Sequence, residues 1–161
     1  MYYVRKIMIE YFSTQNLIEK LVTTKVVPGV NYAFFKQDQT FNSTVGFSTW
    51  IPENIQLSPF AQYDLASLTK VLGTTNVFLK LKEDDKISFD QTVHEFLPEF
   101  ANEQVTIADL LTHSSGIKGF IENRDELDAD QLRDAIIHLP VTDDFRRVVK
   151  YSDTNFIILG F

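Results

Sequence analysis

Apolar positions at the start of the chain fall at helical spacing. Val4, Ile7, Met8 and Tyr11 share one face, and Leu17, Ile18, Leu21 and Val22 continue the pattern, which predicts a helix within residues 4–25. Ser13 or Thr14 could restart it with a cap, and Pro28-Gly29 stops it. The period then changes. Val30 to Phe35 is rich in β-branched and aromatic residues, Phe41, Val45 and Phe47 alternate with polar neighbours, and Lys36-Gln37-Asp38-Gln39 lies between as a polar turn. That pattern predicts a β-hairpin, with Gly46 at a bulge or strand end. Residues 48–62, with Pro52 and Pro59, read as a loop.

Helical spacing returns at Ser67 and predicts a helix to about Lys82. Val71, Phe78 and Leu81 share one side and Leu72 and Leu79 adjoin it, a breadth that predicts burial over most of the surface. Glu83-Asp84-Asp85-Lys86 ends this helix, Ile87 to Asp90 is a short extended piece, and Val93 to Leu97 is a short turn or helix ended by Pro98. Thr106 with Asp109 reads as a helix N-terminus, and Asp128 with Gln131 as a capping box before Leu132, Ala135, Ile136 and Leu139. The acidic stretch 121–130 reads as a solvated loop. Asp153 reads as the cap of a last helix from Thr154, carrying Phe156, Ile157 and Leu159. The final apolar run closes without a polar residue, and one hairpin is too little sheet to stand alone. Both features point to a partner, either further chain or a second copy.

Composition narrows the classes. The chain has 161 residues, enough for one domain with a sizeable core, and is 44% hydrophobic and 23% charged, which argues against disorder. A net charge of −7 with no basic patch argues against nucleic acid and anionic membrane as partners. There is no cysteine, hence neither a disulfide framework nor a thiolate site. The first ten residues lack the apolar core and small-residue cleavage site of a signal peptide, and no stretch is long enough to span a membrane. A soluble cytoplasmic protein is the expectation; a leader lost before residue 1 would make it extracytoplasmic.

Ser67 and Lys70 carry the candidate chemistry. Residues i and i+3 share a helix face, so the hydroxyl and the amine can touch. A serine becomes a nucleophile when a base takes its proton, and a lysine can serve if its pKa is lowered. At a helix start the Ser67 N–H is also free to face a developing oxyanion. The same spacing recurs at Ser115 and Lys118, but Gly116 after that serine argues for a turn. Asp109 and His113 stand at i, i+4, and two ligands do not make a metal site.

Three stretches, in this order, resemble the serine β-lactamase and penicillin-binding-protein superfamily, in its branch of class C β-lactamases, D-alanyl-D-alanine carboxypeptidases and related esterases. Leu65-Ala66-Ser67-Leu68-Thr69-Lys70 resembles the Ser-x-x-Lys motif. Residues 105–117, with Leu110-Leu111-Thr112-His113-Ser114-Ser115-Gly116, are similar to a Thr-Ile-x-x-Leu-Leu-x-His-x-Ser-Gly segment, and Tyr151-Ser152-Asp153 is similar to the Tyr-x-Asn motif. Val27-Pro28-Gly29-Val30 also fits, and the likeness runs from about residue 15 onward.

The resemblance implies an α+β fold of an α/β lobe and a helical lobe with the site between them. Ser67 would be acylated, Lys70 would help remove its proton, and Tyr151 would shuttle protons to the leaving group or water. His113 would belong to a structural segment, which sets aside a triad built on His113 and Ser114. The substrate would be a small-molecule or peptide acyl donor, an amide, β-lactam or ester, and no cofactor is implied. Two departures stand out. Asp153 occupies the place of the usual Asn, adding charge to a substrate-binding position near Lys70. No Lys-Thr-Gly or His-x-Gly follows Tyr151, so the chain resembles an N-terminal part of the domain: residues 1–50 a helix and hairpin, 51–150 mainly helical, and 151–161 the Tyr motif and the start of a helix. Low turnover by this length of chain is therefore expected. The other readings are a fragment that keeps the fold without turnover, and an interaction module that self-associates as a homo-oligomer through its sheet edge.

Overall fold

A computed structural model of the protein describes residues 11–161, which fall into two compact units, one running to Asp64 and the other spanning Leu65–Phe161. The expected apolar positions Val4, Ile7 and Met8 lie outside the described residues.

In the first unit, α1 (Phe12–Thr23) precedes an antiparallel sheet of β1 (Gly29–Lys36), β2 (Gln39–Thr49) and β3 (Ile55–Gln56), in the order β1-β2-β3. Ser13 and Thr14 lie inside α1 rather than capping it, and the helix begins at Phe12 with no side-chain cap. The hairpin is the one the alternation predicts. Val30 faces Val45 and Phe34 faces Phe41, and the tight turn puts Gln37 at φ 54°. Tyr11 stacks on Phe34 at 4.4 Å between ring centroids. Gly46 is required where it stands: its φ is +85°, and a Cβ there would meet the Pro28 carbonyl oxygen and come within 2.7 Å of Val22 Cγ1. The predicted loop 48–62 contains β3, whose two residues are too few to show a period. Ile87 to Asp90 forms no strand.

The second unit holds the main core. Phe100, Val105, Leu110 and Ile137 are almost wholly buried, together with Val93, Ile117, Ile136 and Ile158. They come from α3 (Val93–Phe96), α4 (Ile107–Leu111), α5 (Ala129–Ile137), α6 (Asp153–Ile158) and the segments between. Their termini are set locally. Thr92 with Glu95, Thr106 with Asp109, and Asp128 with Gln131 all form reciprocal capping boxes. The acidic stretch contains a single 3₁₀ turn at Arg124–Glu126.

Residues 68–83 are helical, with Ser67 in the turn just before them. The first part is not α-helical: Lys70–Thr74 is a π-turn, continued as α2 (Thr75–Glu83). The hydroxyl of Thr75 donates to the Lys70 carbonyl at 2.7 Å, and the Asn76 amide donates to the Val71 carbonyl at 2.8 Å, bonds that support the wider turn. The predicted burial of this helix is not found. Val71, Leu72 and Leu79 are half exposed and no residue from Lys70 to Glu83 is buried, because the described residues provide no partner for most of its surface.

Candidate active site

The chain approaches Ser67 through Ala66, which holds a left-handed φ of 43°. That region costs a non-glycine residue about 1–3 kcal/mol, and such strain concentrates at functional sites. It sharpens the turn that delivers Ser67 to the head of the helix, one turn before Lys70.

The opposite wall is built from two loops zipped together. His113–Lys118 lies against residues 140–150 through Lys118 N–H to Pro140 O (3.0 Å), Thr142 N–H to Gly116 O (2.9 Å), Arg146 N–H to Ser114 O (2.9 Å) and Lys150 N–H to His113 O (2.9 Å). Gly116 makes the approach possible, since a Cβ there would lie 2.7 Å from Phe145 N and its φ is +65°. Asp109 fastens the same loops. Its carboxylate accepts from Arg146 Nε (3.0 Å) and Nη2 (2.8 Å), and from the N–H and hydroxyl of Thr106 (2.9 and 2.8 Å). Burial opposes the charge on Asp109, but these donors outweigh it and hold its pKa below the usual carboxylate value. With those oxygens engaged, the i, i+4 pairing with His113 is no metal site.

The result brings together Ser67, Lys70, Tyr151 and Asp153. The Tyr151 hydroxyl donates to Ser67 Oγ at 2.7 Å, and Lys70 Nζ donates to the same oxygen at 3.2 Å. Lys70 Nζ also sits 2.6 Å from Asp153 Oδ1 and 5.0 Å from the Tyr151 ring centroid. The Lys70 side chain is only 14% exposed, whereas that of Asp153 is 71% exposed. The sequence predicts Asp153 as a helix cap; instead Ser152 stands at the cap position of α6, and the Asp153 carboxylate turns to the lysine.

The electrostatics differ from those a lysine base requires. Hydrogen bonds to Asp153 and then Tyr151 raise the Lys70 pKa above its ordinary value, so Lys70 is an ammonium. The same ammonium, with Ser67, pulls the Tyr151 phenol below its ordinary value. The group whose charge equilibrium moves toward working pH is the tyrosine.

His113 supports from behind. Its Nδ1 accepts the Ser152 N–H at 3.3 Å, and its ring packs 4.8 Å from Tyr151 and 5.2 Å from Phe156. Burial, then the Lys70 charge, lowers its pKa, which keeps Nδ1 an acceptor. Ser114 bonds Thr112 and Asp109, so no triad forms on it. Two residues that spacing did not single out, Asn155 and Arg146, complete the frame. Ser115 Oγ donates to Asn155 Oδ1 at 2.8 Å with both residues buried, and Arg146 closes on Asp109. A cleft of about 860 Å³ opens beside Tyr151, with Ser152, Asp153 and Gly119 on its wall. Among the described residues no cluster could hold a metal ion, and no helix is long and apolar enough to cross a membrane.

Comparison with known proteins adds relatives to this geometry. The family model described as Beta-lactamase matches residues 14–161. PbpX of Bacillus subtilis (strain 168), named as a penicillin-binding protein, is 35% identical over 109 residues, 66% of this chain and 27% of its own length. Two solved structures share the fold. The D-amino acid amidase of Ochrobactrum anthropi SV3 superposes with a TM-score of 0.68 at 20% identity, over 91% of this chain and 43% of its own. A class C β-lactamase of Rhodobacter sphaeroides gives 0.69 at 20% identity, over 89% and 40%. The chain thus spans less than half the length of each protein it matches.

Proposed function

The chain belongs to the Beta-lactamase family, and from that membership we propose that the protein is a serine acyl hydrolase or transacylase that forms an acyl-enzyme on Ser67. The observation that carries this reading is the Ser67 oxygen held at 2.7 Å by the Tyr151 hydroxyl and 3.2 Å by the Lys70 ammonium. Its substrates are amides, β-lactams or esters.

In this mechanism Ser67 Oγ attacks the acyl carbon and its proton passes to the Tyr151 oxygen, which Lys70 keeps readily ionised. The tetrahedral adduct collapses, the bond to the leaving group breaks, and that group takes the proton from Tyr151. Water then attacks the acyl-enzyme, losing its proton to Tyr151, and Ser67 leaves with a proton restored. The Ser67 N–H, at a helix start, supplies one oxyanion donor. The second donor and the substrate clamp belong to the third motif that the resemblance implies. Without one donor a rate falls about 10²–10³-fold, so these 161 residues turn over slowly.

Intact-mass spectrometry after incubation with an activated fluorophosphonate tests the reading. One adduct mapping to Ser67, absent in Ser67→Ala, is the expected result. A folded protein that takes no adduct, or takes it elsewhere, overturns it. The residue 51–150 segment acts in this reading as the helical lobe bearing the nucleophile. A second reading, self-association, rests on β1, which closes the sheet order with one edge unpaired among the described residues.

A further inference from the structure

Lys70 stands where two unlike turns meet. On its N-terminal side the bonds are tight: Leu68, Thr69 and Lys70 N–H donate to the carbonyls of Leu65, Ala66 and Ser67 at 2.9, 3.0 and 3.2 Å, each three residues back. Such turns stack side chains i and i+3, and Lys70 Nζ comes within 3.2 Å of Ser67 Oγ in this way. On its C-terminal side the turn is wide. The Lys70 carbonyl accepts the N–H of Thr75, five residues on, and also the Thr75 hydroxyl at 2.7 Å. The next carbonyls, of Val71 and Leu72, accept the Asn76 side-chain amide at 2.8 and 3.1 Å. Three consecutive carbonyls starting at the lysine are thus held by the side chains of two adjacent residues. Gly73-Thr74-Thr75-Asn76 is also a run of weak helix formers, so the local preference for the regular α-helix that would close this turn is low.

We propose that Thr75 is a positioning residue for Lys70: its hydroxyl, with the Asn76 amide beside it, holds the wide turn open and so fixes the lysine where its ammonium meets both Ser67 and Tyr151. This inference rests on the acyl-enzyme reading of Ser67. In a regular α-helix the Lys70 carbonyl would bond the Thr74 N–H instead, and one residue of helical phase is about 100° of rotation. Any share of that rotation taken up at Lys70 withdraws Nζ from Ser67 at 3.2 Å and from Asp153 at 2.6 Å. The effect reaches Tyr151 because Lys70 lowers its phenol pKa. Among the described residues, Lys70, Asp153 and His113 are the titratable groups facing that phenol, and of these only Lys70 is carried by the wide turn.

The test titrates the 161-residue protein by NMR, isotope-labelled at the tyrosine Cζ, with the Tyr151 signal assigned by Tyr151→Phe. Thr75→Val removes the hydroxyl and keeps the shape of the side chain, and is expected to move the Tyr151 titration to higher pH. Thr75→Ser, which keeps the hydroxyl, is expected to titrate as wild type. Asp128→Ala removes the cap of α5, away from the lysine, and is expected to lower stability while leaving the titration in place. Fluorophosphonate labelling of Ser67 should slow in Thr75→Val by about 10–10²-fold, the scale on which a misplacement of about 1 Å acts, and should be restored in Thr75→Ser. A folded Thr75→Val whose Tyr151 titrates as in wild type overturns the inference. So does an equal shift in Thr75→Ser or in Asp128→Ala. If Thr75→Val does not fold, Thr75→Ala, a stronger helix former, is judged by the same outcomes. A wild type that takes no fluorophosphonate at Ser67 defeats the acyl-enzyme reading instead, and the tyrosine titration still decides the role of Thr75.

Discussion

Tyr151 and Lys70 shift each other's proton affinity, the phenol downward and the amine upward, and that coupling makes a directional prediction. The ammonium is the first cause of the lowered phenol pKa, so removing it in Lys70→Ala raises the pKa. The acid limb of the Ser67 acylation profile should move to higher pH, which a fluorophosphonate rate series measures; an unmoved limb would exclude Tyr151 as the titrating base. Tyr151→Phe should slow acylation by about 10²–10⁴-fold, the usual size of a lost general base. His113 makes a second pH prediction. Its folded pKa lies below the ordinary value of about 6.5. The unfolded state therefore binds the extra proton first. Stability from this group is complete above the ordinary value and is lost as pH falls through the folded value. Replacing His113 with Asn should flatten the slope of unfolding free energy against pH in that acid window, by denaturant titration. Of these residues, Ser67, Lys70 and Tyr151 were legible because short motifs carry them. The charge state of Lys70 was not, because Asp153 is 83 positions further along and nothing local announces that its carboxylate would turn back.

Among the elements, those fixed by near neighbours in sequence were readable. The Thr106 and Asp128 N-termini formed as their i, i+3 partners predict, and the hairpin followed its alternation. What escaped was set by distant partners: the Ser115–Asn155 bond spans 40 positions and Asp109–Arg146 spans 37. Burying a polar side chain without its partner costs about 1–3 kcal/mol. Ser115→Ala should destabilise the protein by about that much in urea, and should also slow Ser67 labelling, since Asn155 lies in the helix that begins at Asp153, two residues after Tyr151. Unchanged labelling in the folded variant would confine the bond to stability. The π-turn belongs to the same class of hidden features. Its i→i+5 bonds each enclose one more residue than those of an α-helix, so Lys70 and the residues after Thr75 are offset in phase. A single helical period read across 67–82 merges two faces, and this is one reason the predicted buried stripe was not found.

For the whole molecule, a negative charge of −7 sits alongside a good deal of uncovered apolar surface. Phe35 at the end of β1 is 72% exposed, and Leu68, Leu72 and Leu79 are half exposed. Self-association through the β1 edge should appear as a concentration-dependent mass in light scattering and should fall in Phe35→Lys. A monomer at high micromolar concentration would remove that reading. The site itself has a long reach along the chain: Tyr151 meets Ser67 across 84 positions, while the bonds that frame it span about half that. Closing a longer loop costs more chain entropy, so native contacts of such range tend to form late. On the proposed acyl-enzyme reading, Ser67 is expected to gain its reactivity only with that closure, so fluorophosphonate labelling during refolding should lag the burial of the core.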